Sequence, residues 1–292
     1  MYQTNTPGHT IPFLWLFTLW ILHYATLSAV SVDLRWMPGD RCSWYDVKAY
    51  LEIQHIDNPE SVTELRCQHC FLRHFPLWIL DKMPQVTVLL LNDNAIQQLP
   101  DNIDTLQKLE TLDLSRNQLT TLPHRFGYLQ ALHSFNGAFN QLHTLPDSFW
   151  QLHHLTSLSL YSNHLHVMPA RIKRLSHLKK LFWGNNALES IPQSIGQLTK
   201  LEHLYLNENA LTHLPQEVGD LQHLQHLFLK DNAFRHLPHS VTKLATSLLS
   251  LDLQNNPDLS DDNKEDSLGF QGLQDVFGDK LHFSREEPLW AV

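Results

Sequence analysis

The sequence predicts an α/β repeat solenoid, and three observations support that prediction. One frame, L-x-L-x-x-N-x-L followed by Leu-Pro, is complete from Leu112 to Pro123 and returns every 23 residues. A period of this length indicates stacked structural units. The alternation in L-x-L predicts a short strand with both leucines inward. We therefore expect a curved horseshoe with a parallel concave β-sheet, short helical or 3-10 turns on the convex side, and helical caps at both ends.

The repeat assigns a place to most apolar residues of the array. One asparagine per coil is expected to turn inward where the chain leaves the strand and to satisfy backbone groups of the turns. Leu-Pro then fixes φ for the convex return. A degenerate first coil precedes seven regular coils, and a partial coil begins at Leu251. The first inward strand positions of the regular coils are Leu89, Leu112, Phe135, Leu158, Leu181, Leu204 and Leu227.

This pattern resembles the leucine-rich repeat family, in the Leu-Pro form of about 23 residues that Ras-suppressor-type and bacterial members share. The resemblance covers roughly residues 62 to 259. It implies recognition of a protein ligand on the concave face. We expect the protein to act as a monomer.

A targeting segment is predicted ahead of the repeats. Ile11 to Leu22 is apolar and aromatic, and Ala29-Val30-Ser31 fits a signal-peptidase site with Val32 as the mature start. We therefore expect export, to the medium, the periplasm or the cell surface. An uncleaved membrane anchor through residues 11–30 and a cytosolic chain are the alternatives. The expected divisions are a signal peptide or N-terminal membrane segment at 1–31, an N-terminal cap at 32–61, the solenoid at 62–259, and a C-terminal cap and tail at 260–292.

Each cap is predicted to contain a helix, because the end coils of a solenoid expose their core edge-on. In the N-terminal cap, Ser43 is a candidate N-cap for a helix from Trp44 to Leu51. In the C-terminal cap, the stretch from Leu268 to Phe277 indicates a helix that stops at Gly278. A strand is expected after it, from Lys280 to Phe283.

Composition and motifs argue against two classes of function. The formal net charge is −9 and no basic run follows the chain, which disfavours sequence-independent binding of nucleic acid. The chain contains no G-x-S-x-G elbow, H-E-x-x-H pair, Walker loop or G-x-G-x-x-G turn. We therefore expect no enzymatic activity, no cofactor and no metal site. A hydrolase is the weakest of the functional classes considered.

The three cysteines of the chain leave alternatives open. Cys67 and Cys70 occupy the inward leucine and asparagine positions of the first coil, where buried and unpaired thiols are expected. One alternative is a zinc site that includes His69 and His74. The other is a disulfide from Cys42 to one member of the pair, which an oxidising compartment would permit.

The outward column between the two inward strand positions supports the functional prediction. Phe182, Tyr205 and Phe228 fall there on three neighbouring strands, and we expect all three rings to be exposed. Exposed apolar surface with a polar rim is typical of a binding site, although cross-strand packing is the structural alternative. His203 and His226 lie one column away, about 4.8 Å apart on adjacent strands. The predicted protein-binding residues are Phe139, Tyr161, Lys180, Phe182, His203, Tyr205, Asn207, His226, Phe228 and Lys230.

The sequence thus favours a protein–protein interaction module that binds a polypeptide. The alternative is a structural or adhesive protein, secreted or on the cell surface, without one dedicated partner. Clustered aromatic residues favour the binder, because a spacer would present a uniformly polar concave face.

Overall fold

Ten parallel strands form one sheet along the concave face. The computed structural model describes residues 30–35, 44–54, 56–256, 259 and 267–281. The strands of this sheet are β1 Val30–Asp33, β2 Val62–Arg66, β3 Val88–Leu90, β4 Thr111–Asp113, β5 Ser134–Asn136, β6 Ser157–Ser159, β7 Lys180–Phe182, β8 His203–Tyr205, β9 His226–Phe228 and β11 Ser250–Asp252. They follow chain order across the sheet, with β11 next to β9.

The repeat period sets the register of this sheet. Leu112 pairs with Leu89 on one side and with Phe135 on the other, and the later strands continue in step. All three side chains are buried, in one apolar core that runs through every coil. The predicted fold, a curved leucine-rich repeat solenoid, is therefore confirmed.

Inward-facing asparagines tie each coil to the one before it. Asn163 Nδ2 donates to the carbonyls of Gly137 (3.0 Å), Leu160 (3.1 Å) and Tyr161 (3.3 Å), and Oδ1 accepts from the Leu142 amide (2.9 Å). Every member of the column makes the corresponding four bonds, as predicted, and we call the column the asparagine ladder. Its members are Asn94, Asn117, Asn140, Asn163, Asn186, Asn209, Asn232 and Asn256.

Short 3-10 helices return the chain along the convex side. A proline precedes most of them; Pro123, for example, has φ −65° and ψ 152°. Gly127 approaches the next coil so closely that a Cβ would lie 1.8 Å from the Ser148 carbonyl oxygen, and Gly196 and Gly219 make similar approaches. The convex helices of the array are Ile103–Thr105, His124–Tyr128, Asp147–Gln151, Ala170–Arg174, Gln193–Gln197, Gln216–Asp220 and His239–Leu244, and a 3-10 turn at Pro59–Ser61 leads into β2.

The helix predicted in the N-terminal cap is present as α1, Trp44–Ile53, and extends two residues past the expected end. Val47 and Leu51 are buried in the common core, as expected of a cap. The proposed N-cap, Ser43, lies outside the described residues. A second short helix, α2 Trp78–Lys82, lies in the degenerate first coil.

Strand β1 was not predicted, and it bears on the proposed processing site. It pairs in parallel with β2, and the side chain of Val32, one of its residues, is buried in the core. A mature chain that began at Val32 would lack the first two residues of β1, Val30 and Ser31. The apolar segment at residues 11–22 lies outside the described residues. Within the part of the chain that the structure describes, no helix has both the length and the apolar character to cross a membrane.

The C-terminal cap differs from the prediction at both ends. Its helix, α3, spans Phe270–Phe277, because Ser267–Leu268 forms strand β12 and pairs antiparallel with β10, Leu237–Pro238. Gly278 ends the helix with φ +50°, as expected of a C-terminal stop. The strand expected from Lys280 is wrong for the described residues, since Gly278–Lys280 is a 3-10 helix. Residues 282 and 283 lie outside the described part of the chain.

A disulfide joins Cys67 to Cys70 in the first coil. The expectation of two unpaired thiols is therefore wrong, although both residues are buried as predicted. His69, between the two cysteines, and Phe71, directly after the second, have left-handed backbone conformations with φ values of 57° and 56°. The bond uses both sulfurs, which leaves neither for a zinc ion or for Cys42, a residue outside the described ranges.

Candidate functional site

Three aromatic side chains form a continuous row across the concave sheet. Phe182, Tyr205 and Phe228 are directly paired on β7, β8 and β9. The ring centroids of Phe182 and Tyr205 are 4.7 Å apart, and those of Tyr205 and Phe228 are 4.4 Å apart. Both contacts are edge-to-face, an arrangement that aromatic pairs prefer. We call this row the aromatic ridge.

The prediction that all three rings are exposed is wrong for Tyr205, which is only 3% exposed. The two flanking rings enclose it edge-on from both sides, and burial raises the pKa of its hydroxyl. Phe182 and Phe228 are half-buried. Part of the predicted site is therefore cross-strand packing, and the outer rings supply the accessible apolar surface.

Two stacked histidines border the ridge. His203 and His226 are paired on β8 and β9, with ring centroids 4.8 Å apart and ring planes 11° from parallel. Burial lowers the pKa of both, and in His203 the neighbouring His226 and Lys180 lower it further while Glu202 opposes them. Lys180 is exposed beside them on β7. The stack is thus a neutral, partly desolvated surface at neutral pH.

This depressed pKa predicts a loss of stability in acid. The unfolded chain binds more protons than the folded chain once the pH falls below the ordinary histidine pKa of 6.5, so stability is lost as the pH drops through the folded pKa. We expect the melting temperature of His203→Gln/His226→Gln to fall less between pH 7.5 and pH 5 than that of the wild type.

The matched control for this measurement is His154→Gln/His177→Gln, an exposed pair whose ring centroids are 6.2 Å apart. It should keep the wild-type dependence of melting temperature on pH. Equal dependence in the two double variants would contradict the argument.

Tyr161 does not extend the exposed surface, contrary to expectation, because it is 7% exposed. Its hydroxyl donates to Glu208 Oε1 at 2.7 Å, and Asn207 Nδ2 donates to the same oxygen at 2.9 Å. Burial and the bond to Glu208 raise the pKa of Tyr161. The ring lies over Gly184, where a Cβ would be 2.8 Å from Tyr161 Cε2. We call the hydrogen bond between Tyr161 and Glu208 the tyrosine strut. It spans two coil intervals.

The sequence analysis missed Glu208 and Gly184. Gly184 itself was the available signal for the strut. A glycine in a column that otherwise carries side chains indicates that another side chain, here Tyr161, passes close to the backbone.

The remaining predicted residues lie on either side of the ridge. The guanidinium carbon of Arg116 is 4.4 Å from the ring centroid of Phe139, and the Phe139 and Tyr161 centroids are 5.5 Å apart. On the other side, Lys230 Nζ lies 3.8 Å from Asp231 Oδ2. These ten predicted residues share one concave surface, but their role in binding stays a prediction.

A hollow of about 540 Å³ opens on the concave face on the N-terminal side of the ridge. We call it the polar hollow. Its lining includes Asp113, Ser134, Asn136, Ser157 and Ser159, together with the rings of Phe139 and Phe182. The sequence analysis missed it, although the run of small polar residues in the concave columns was visible. The described residues bring no three His, Cys, Asp or Glu side chains together in a cluster suited to a metal.

Comparison with known proteins agrees with this geometry. A family model described as leucine rich repeat matches residues 84–136 and 200–257. No curated protein sequence matched the chain. A leucine-rich repeat protein of Leptospira interrogans is 27% identical, with a TM-score of 0.60 over 77% of this chain and 61% of its own.

Two further structures extend the likeness. The leucine-rich repeat ectodomain of the membrane receptor kinase GASSHO1/SCHENGEN3 from Arabidopsis thaliana, in complex with Casparian strip integrity factor 2, is 30% identical with a TM-score of 0.55. That match covers 59% of this chain and 22% of the plant chain. An internalin from Listeria monocytogenes is 22% identical with a TM-score of 0.58, over 73% of this chain and 64% of its own, a likeness of fold alone. With the repeat geometry already described, these matches identify the chain as a leucine-rich repeat protein.

Proposed function

We propose that this protein is a non-enzymatic interaction module that binds a polypeptide on its concave face. The observation that supports the proposal is the aromatic ridge, whose outer rings, Phe182 and Phe228, are half-buried on an open sheet surface. Aromatic side chains that are held rigidly and ringed by polar groups are the usual centres of protein interfaces. The plant receptor ectodomain, which is described in complex with a second factor, is similar in fold and offers support by analogy.

The surroundings of the ridge suit a peptide-like ligand. On one side Lys180 and the histidine stack offer polar and weakly basic groups, and on the other Asn207 and Lys230 offer hydrogen-bond donors. An apolar side chain of the ligand would contact the outer rings, while its backbone would meet these donors. The strut below Asn207 holds this edge in place.

Removal of the two outer rings is expected to weaken the complex. Phe182→Ala/Phe228→Ala should lower affinity by at least about 2 kcal/mol, or roughly 30-fold. Partners would be captured from the native proteome with wild-type protein and identified by mass spectrometry, and their dissociation constants would then be measured for both proteins. Tyr205 is left intact because it is buried, and its truncation would disturb packing.

The control variant for this experiment is Val167→Ala, which removes an apolar side chain that is 69% exposed and lies in a loop of the same array. It should retain every partner, with a circular dichroism spectrum equal to that of the wild type. If the ridge variant also retains every partner, the rings serve packing, and the alternative of an adhesive or structural protein without one dedicated partner is favoured.

We also propose that the protein is exported and acts as a monomer, with a membrane anchor through residues 11–30 as the alternative. Support comes from the apolar N-terminal segment and from the similar plant domain, which is described as the ectodomain of a membrane receptor. A disulfide between Cys67 and Cys70 is also in keeping with an oxidising compartment.

A further inference from the structure

The polar hollow exists because the concave columns carry short side chains on two successive strands, β5 and β6. Ser134 and Asn136 on β5 and Ser157 and Ser159 on β6 barely rise above the sheet, whereas Phe182 stands at the edge of β7. A volume of about 540 Å³ lies within the range of pockets that enclose small ligand groups. The hollow therefore offers a partly open subsite beside the aromatic ridge.

Asp113 is the distinctive charged group of this subsite. Its Oδ1 accepts from the amide and hydroxyl of Ser115 at 2.8 and 2.7 Å, and its Oδ2 accepts from Asn136 Nδ2 at 3.2 Å. All of these donors are neutral. Within the described ranges, no lysine, arginine or histidine forms a salt bridge with it. Burial is the main cause that raises the pKa of its carboxyl, and the nearby Asp93 contributes in the same direction.

The second carboxylate of the hollow, that of Asp93, already has Arg116 as a cationic neighbour. Asp93 Oδ1 lies 3.8 Å from Arg116 Nε, and its Oδ2 lies 3.9 Å from His69 Nε2. Arg116, the cation that lines the hollow, also stacks over the Phe139 ring. It therefore interacts with Asp93 and Phe139 at the margin of the hollow. The charge left without a counterpart is the negative charge of Asp113. An incoming anion would meet that carboxylate, whereas an incoming cation would compensate it.

We propose that the polar hollow receives a lysine or arginine side chain of the polypeptide bound on the concave face, and that its cation pairs with the carboxylate of Asp113. This inference rests on the proposed function. Serine hydroxyls on the floor would accept hydrogen bonds from the remaining donors of the cation.

The distance between strands of the sheet predicts a residue spacing in the bound polypeptide. Asp113 on β4 and Phe182 on β7 are three strand intervals apart, or roughly 14 Å, a distance that about four residues of extended chain span. The bound polypeptide would therefore carry a basic residue about four positions from an apolar residue, with the first in the hollow and the second on the ridge.

The test uses two capped amino acids as probes, N-acetyl-arginine methylamide and its neutral isostere N-acetyl-citrulline methylamide. Each is titrated into the full chain at pH 7 and followed by backbone amide NMR. We expect the arginine probe to shift amides around residues 111–159, and the citrulline probe to bind about tenfold more weakly or not at all. Asp113→Asn should lower the affinity for the arginine probe by about tenfold and leave that for citrulline unchanged.

Asp252→Asn is the matched control, because Asp252 holds the equivalent column position beyond the ridge, next to Phe228. It should bind the arginine probe as the wild type does. Ser159→Leu provides a second variant that fills the hollow but keeps the carboxylate, and it should also lose the probe. Equal binding of both probes, or unchanged binding by Asp113→Asn and Ser159→Leu, would overturn the proposal.

This outcome is distinguishable from failure of the proposed function. If the arginine probe is rejected while Phe182→Ala/Phe228→Ala still loses its partner, the cation subsite is refuted and the ridge remains a binding surface. If the arginine probe binds in an Asp113-dependent way while the ridge variant keeps all partners, the subsite is supported and the role of the ridge is refuted.

Discussion

Replacement of Asn163 with leucine is expected to lower the free energy of unfolding by about 3 kcal/mol. The buried Leu142 amide would lose its acceptor, and the carbonyls of Gly137, Leu160 and Tyr161 would each lose a donor. Leucine has the same number and branching of side-chain heavy atoms and leaves no cavity, so the cost comes from unpaired buried polar groups. Urea denaturation followed by circular dichroism measures the difference.

Asn102→Leu is the control for that variant. Asn102 is exposed, lies before a convex 3-10 helix and makes no capping hydrogen bond with its side chain. Its replacement should change the unfolding free energy by less than about 0.5 kcal/mol. Similar urea midpoints for Asn163→Leu and the wild type would contradict the structural role of the asparagine ladder.

A comparable loss of stability is expected from Gly127→Ala. The new Cβ would lie 1.8 Å from the backbone oxygen of Ser148 and 2.2 Å from its carbonyl carbon. Backbone atoms of a packed coil cannot move aside as the end of a side chain can, so the two coils must separate locally. We expect the free energy of unfolding to fall by about 3 kcal/mol, at the upper end of what overpacking usually costs.

The same position in another coil supplies the control for this glycine. Lys173 is the residue equivalent to Gly127 two coils later, and it is exposed. Lys173→Ala should be nearly neutral, because that coil already accommodates a side chain there. If Gly127→Ala melts within one degree or so of Lys173→Ala, the close approach between the convex helices is not required for stability.

The repeat made part of this structure predictable. Because Leu112 and Phe135 hold the same place in successive coils, their burial and their pairing follow from the period. The bonds of Asn163 follow as well, since the turn leaves the same backbone groups in every coil. These features depend on position within the repeat and hardly at all on the identity of the neighbouring side chains.

The features that escaped prediction depend on neighbours. Tyr205 has the column position of an exposed residue, but the rings on both sides cover it. Tyr161 leaves the exposed surface because its hydroxyl donates a hydrogen bond to Glu208 across Gly184. The burial of these tyrosines depends on side-chain contacts between neighbouring coils, and the repeat pattern alone does not specify those contacts.

The tyrosine strut has a mechanical consequence for the concave face. Tyr161 and Glu208 belong to coils on either side of the one that contains Gly184, so the horseshoe cannot flatten there without stretching a 2.7 Å hydrogen bond. Flattening of the solenoid is therefore expected to cost more free energy in this segment than in coils without such a hydrogen bond. Two of the three strands that carry the ridge, β7 and β8, lie within or at the edge of the stiffened part. A ligand that binds there meets a pre-organised surface and loses little affinity to ordering it.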